Sequence, residues 1–295
     1  MPIDFWAEVA SPLKNPLKEA FLNYAGKLYE NKNILLSSYF PSCMGGDMPS
    51  SDYLINMELK NIPKNFLTMG FGECFTSSFY EKFIKSGIYT HAEIIAWFPE
   101  TMVIDVRRLG SRPVPKSFFD LTDSCYCGEI CIIGTPQIPD PLAALFIYKQ
   151  FGLTAAKAFA HNLAGFGAPV NAIRHIGRNS NTFGSIFIMP LLFANVCREL
   201  KNALVIQPSE GYLAEPFILY SKAENCDNEK RRYIKEFLTS KVFEEISSEK
   251  IFFKADSRNN QKIFHLCQNT YFPELEFVYP VLCETMKHLD SIKKS

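Results

Sequence analysis

The stretch "EICIIGTPQIPDPLAALFIYKQF", residues 129–151, confines the fold more than any other part of the chain. An apolar run of strand length, residues 129–133, halts at Gly134-Thr135-Pro136. It passes straight into a helical pattern over residues 141–151, where Leu142, Leu145, Phe146 and Tyr148 suit one buried face. A strand handed to an amphipathic helix through a small-residue turn is half of a βαβ unit. Chains assembled from such units fold as α/β proteins, with a parallel sheet whose connecting loops gather at one edge.

The same order recurs along the chain. Residues 3–7 read as a strand, and Ser11-Pro12 supplies an N-cap and a proline at the first helical position, opening a helix to residue 30. Residues 34–39 read as a second strand ending in the loop "PSCMGGDMPSSD", and residues 65–68 as a third, broken by "GFGE" and followed by a helix over 74–86. Residues 94–106 have the look of extended chain crossing from one unit to the next. Beyond Gly152, "TAAKAFAHNLAGF" is predicted as a further helix, and "FGSIFIMPLLFANVCREL" as a strand and then a helix broken near Pro190. "NALVIQPSEGYLAEPFILYSKA" is extended with a turn at "PSEG". A helix capped by Asp227 or Asn228 follows, with Tyr233, Ile234, Phe237 and Leu238 as its apolar stripe. From residue 251 the pattern is mixed and yields no assignment.

At 295 residues the chain is long for one core, so two units are expected. Lys plus Arg equals Asp plus Glu, 31 each, which points to neither nucleic acid nor an anionic membrane surface. The run "EKRRYIK" reads as a solvated helix face. Nine cysteines, an odd count without regular spacing, argue for a reducing compartment. The first residues lack the pattern of a signal peptide, and no stretch approaches the ~18 apolar residues of a membrane span. The expectation is a cytoplasmic protein without direct membrane insertion, although a mature chain trimmed of its leader would read the same.

Three segments carry a family resemblance. "PVPKSFFDLTDSCYCGEICIIGTP" is similar to a turn of the form Pro-Lys-Ser-aromatic-x-Asp-Leu, a short Gly-containing hairpin, and a strand ending at a ligand-binding helix. "VIQPSEGYLAEPFILYSKAENCDNEKRRYIKEFLTS" is similar to a strand, a Pro-x-Glu-Gly turn, a return strand and a helix closing in Phe-Leu-x-Ser. The βα opening over residues 3–30 is the third. Together they resemble the type II periplasmic-binding-protein fold, in particular the substrate-binding components of ABC importers of the iron and small-solute group. The resemblance implies two α/β lobes, residues 1–102 with 213–295 and residues 103–212, and a non-enzymatic protein holding solute in a cleft between them. The expected partners are a small-molecule or metal-containing ligand and an ABC permease or a cytoplasmic partner, with no nucleic acid. In open α/β sheets ligands bind beyond the carboxyl ends of the strands, where helix N-termini favour an anion or anionic chelate.

On that basis the candidate ligand-binding residues of the first lobe are Ala10 and Ser11, then Ser42, Cys43, Met44 and Gly45, then Gly70, Phe71, Gly72 and Glu73. Ser11 with Lys14 makes the Ser-x-x-Lys of penicillin-recognising acyl enzymes, but their partner motifs are absent, so catalysis by Ser11 is not expected. Cys43 and Cys74, on adjacent glycine-flanked loops, could bind a soft metal or an iron–sulfur species, inert packing being the alternative. Cys125, Cys127 and Cys131 lack zinc spacing and read as structural.

In the second lobe Gly134, Thr135 and Gln137 either contact ligand or cap the following helix. Arg174, His175, Arg178, Asn179, Ser180 and Asn181 form a donor-rich loop, with Gly184 and Ser185 the stronger candidates after it. Glu210 lies in the "PSEG" turn, where a hinge is the alternative. The family's iron binders use paired tyrosines, and no Tyr-Tyr pair stands before Ser221, which puts simple ferric capture in doubt. A cytosolic enzyme using cleft Cys or His and a ligand-sensing domain are the competing functions.

Overall fold

The first structural element of the computed structural model is strand β1 (Ile3–Ala7), and helix α1 (Ser11–Tyr29) follows it as the Ser-Pro start predicts. The structure describes residues 3–7, 9, 11–29, 38–39, 51–56, 66–67, 92–134, 139–178, 184–222, 228–249, 253–254, 280–282 and 284–285. Leu13, Leu17, Phe21 and Ala25 recur every fourth residue on α1 and are all buried, the stripe that drives the helix onto its sheet. Strands β2 (Ser38–Tyr39), β3 (Ser51–Asn56) and β4 (Phe66–Leu67) come next, and β5 (Ala92–Asp105) is the long extended crossing. Strand β3 has no counterpart in the sequence reading, which left these residues in and after a Gly- and Ser-rich loop. Pairing with β1 at Phe5↔Tyr53 and Ala7↔Ile55 supplies the ladder that local composition did not announce. The helix expected over residues 74–86 lies outside the described residues.

Beyond β5, a short helix α2 (Val106–Leu109) is capped by Asp105, whose carboxylate accepts the Arg108 amide. Two 3₁₀ turns, Phe119–Thr122 and Ser124–Tyr126, lead to β6 (Ile130–Ile133), so a 3₁₀ turn stands where a hairpin was expected. Helix α3 (Leu142–His161) runs through Gly152, whose φ of 83° breaks the helical path and is open only to glycine at no steric cost. The segment after Gly152 is helical only to His161; Leu163–Gly167 form strand β7 instead. Gly165 and Gly167 weaken any helix there, and β6 offers a parallel ladder from Ile130↔Leu163 to Ile133↔Gly167. The chain continues through α4 (Pro169–His175), β8 (Ile186–Pro190), α5 (Leu191–Cys197), β9 (Ala203–Val205) and β10 (Leu213–Lys222). It closes its described part with α6 (Asn228–Thr239), α7 (Lys241–Glu249) and β11 (Phe253–Lys254).

Two compact units result, Met1–Phe98 with Glu215–Arg258 and Pro99–Ala214 with Asn259–Ser295. In the first, β1 lies between β2 and β3 and runs parallel to both, while β10 is antiparallel to β3 and β4. Tyr233, Ile234, Phe237 and Leu238 of α6 are buried as their spacing predicts. Phe237 meets Phe21 of α1 edge to face, with ring centroids 5.2 Å apart.

In the second unit β6 sits between β8 and β7, parallel to both, and β5 is antiparallel to β8 and β9. Leu142, Leu145 and Phe146 of α3 pack with Ile104, Ile130, Ile132, Ile186 and Ile188 in one core. Burying each large apolar side chain contributes about 1.5–3 kcal/mol, so this face holds α3 in place. Among the described residues, no helix is long and apolar enough to cross a membrane.

Candidate functional site

Parallel β6, β7 and β8 all direct their carboxyl ends to one edge of the second unit, and a helix begins beyond each of them: α3 at Leu142, α4 at Pro169 and α5 at Leu191. That edge is where an open α/β sheet offers room for a ligand. At α3 the chain turns back on itself: Gly134 bridges Pro139, and the Asp140 amide donates to the Ile133 carbonyl at 2.9 Å. Asp140 then accepts the Leu142 amide through Oδ1 at 2.9 Å. A carboxylate of the chain itself thus holds one of the free amides at the helix start.

A solvent-facing depression of ≈ 10 Å³ lies at this edge, lined by Cys131, Ile133, Phe166, Ala172, Phe187 and Met189 among others. Among the described residues, no charged side chain lines it. Helix α4, which forms one wall, contains no buried residue.

Gly184 and Ser185 take a different place. The pairing Ile130↔Ile186 sets them beside Glu129 at the amino ends of β6 and β8, so the fold does not bring them to Gly134. The two edges are separated by about 13 Å of strand, at ~3.3 Å per residue. Here Gly184 accepts from Arg108 Nη1 at 3.1 Å, and the Ser185 amide donates to Glu129 Oε2 at 3.0 Å. Glu129 Oε1 pairs with Arg112 Nη2 at 2.7 Å. Gly184 and Ser185 thus stand at the opposite end of the strands from Gly134, because in parallel strands residues before one strand and after its neighbour lie at opposite ends.

Glu210 bonds within its own unit. Its Oε1 accepts the Phe119 amide at 3.4 Å, its Oε2 accepts the Ser209 hydroxyl at 3.1 Å, and the Ser209 amide donates to the Lys116 carbonyl at 2.8 Å. The "PKSFFDL" and "PSEG" motifs are thereby fastened to each other. Within the former, Ser117 Oγ accepts the Asp120 amide while Asp120 Oδ2 accepts the Ser117 amide, both at 3.0 Å, the reciprocal pattern of a capping box. Ser-x-x-Asp was present in the sequence as the signal for it, and Asp140 two residues before a helix was the signal for the α3 cap.

Ser11 opens α1. Ala10, Ser42, Cys43, Met44, Gly45, Gly70, Phe71, Gly72, Glu73, Cys74, Thr135, Gln137 and Asn179 to Asn181 lie outside the described residues. Among the described residues no cluster of three or more His, Cys, Asp or Glu could hold a metal ion. Cys125, Cys127, Cys131 and Cys197 are free thiols. Burial pushes the Cys197 thiol up to about 11, and burial with the neighbouring Asp123 carboxylate raises that of Cys125, so neither is prepared as a nucleophile.

The fold has many solved counterparts. Iron-bound HitA of Pseudomonas aeruginosa is 13% identical, with a TM-score of 0.65 over 98% of this chain and 99% of that one. The periplasmic binding protein AfuA of Actinobacillus pleuropneumoniae, with fructose-6-phosphate bound, is 15% identical, with a TM-score of 0.59 over 97% and 98%. A two-component system protein that mediates signal transduction is 12% identical, with a TM-score of 0.68 over 95% and 100%. At these identities the likeness is one of fold, the two-lobe α/β architecture of periplasmic binding proteins. No curated protein sequence matches. The family model for bacterial extracellular solute-binding proteins matches residues 91–265, more than half of the chain, and does not support a cytoplasmic location. It takes in both motifs fastened through Glu210 and Ser209 as well as β6, β7 and β8, and by that match the chain belongs to the bacterial extracellular solute-binding proteins.

Proposed function

We propose that this protein captures a small solute outside the cytoplasm, with the carboxyl edge of β6, β7 and β8 supplying part of the binding surface, and delivers it unchanged to an ABC-type permease. The observation that carries the reading is the convergence of three helix starts on one sheet edge beside an open depression. Binding there needs no catalytic group, and the thiols of Cys125 and Cys197 are raised rather than activated. The iron and the fructose-6-phosphate of the neighbouring structures suggest the size class, an ion or a sugar phosphate.

Native mass spectrometry of the full chain, purified without added solute, tests the proposal. One small molecule retained at one equivalent and recovered chemically intact supports it. Turnover of the retained molecule would transfer the assignment to an enzyme on the same scaffold.

A further inference from the structure

We draw no further inference here: the strongest candidate, the exposed apolar patch of the second unit where the Phe119 and Phe151 rings meet at 4.3 Å and Leu153 follows the Gly152 break in α3, carries nothing because nothing in the structure shows what covers it.

Discussion

Gly184 packs directly on the backbone of Glu129. A Cβ added to Gly184 would overlap the Glu129 carbonyl group and stand 2.8 Å from its Cα. The contact is backbone against backbone, so no flexible side chain can give way. Gly184→Ala is therefore expected to destabilise the protein by about 3 kcal/mol, the upper range for overpacking a core. Ser185→Ala should be neutral or stabilising by up to about 1 kcal/mol, because the buried Ser185 hydroxyl has no hydrogen-bond partner among the described residues. Urea unfolding measures both; solute titration of Ser185→Ala tests Ser185 as a ligand-binding residue, a loss of affinity supporting that role and an unchanged affinity opposing it.

Asp140 caps α3 through the Leu142 amide. Asp140→Ala should lower stability by about 1 kcal/mol, while Asp140→Asn, which keeps an acceptor oxygen, should stay within about 0.5 kcal/mol of the wild type. Equal losses in thermal unfolding would show that charge rather than the hydrogen bond matters at this position.

Glu129 serves two partners, the Arg112 guanidinium and the Ser185 amide. Arg112 is 38% exposed and Glu129 17%, so solvent screens the ion pair and Arg112→Ala should lower stability by only about 1 kcal/mol. Glu129→Ala should lower it by about 2 kcal/mol, because it also strands the amide of a buried residue. The order of the two variants in denaturant titration is the readout.

Cys127 is exposed and Cys197 is buried with its thiol raised from the ordinary 9.0 to about 11 by burial. Iodoacetamide at pH 8 should label Cys127 within minutes and leave Cys197 unlabelled until the protein unfolds, as peptide mass spectrometry would show. The folded state holds the Cys197 proton more tightly than the unfolded chain does. Its contribution to stability is thus full below about pH 9 and is lost as pH rises toward about 11, a loss absent in Cys197→Ala. Early labelling of Cys197 would mean that α5 opens locally.

Much of this architecture was legible from local pattern. The Ser-Pro start of α1, the passage from β6 into α3 and the apolar stripe of α6 all rest on residues within a turn or two of each other, whereas Pro190, expected to break a helix, ends strand β8 instead. Strands β3 and β7 were not legible, because β3 follows a Gly- and Ser-rich loop and β7 carries two glycines, and each becomes a strand only when a neighbour offers its ladder. Asn162 shows the same dependence: its amide group donates to the carbonyls of Leu121 at 2.9 Å and Asp123 at 2.7 Å, about forty positions back, and stops α3 there.

The amino-acid sequence by itself determined the α/β class, the places where strands pass into helices, and the two motifs that identify the family, since periodicity, caps and prolines act over a few residues. Tertiary structure alone decided which residues share an edge. Strand direction sends Gly134 to one end of the sheet and Gly184 to the other, and a long-range hydrogen bond joins Glu210 to the Phe119 amide. Direction and pairing are relations between distant segments, and no local pattern contains them.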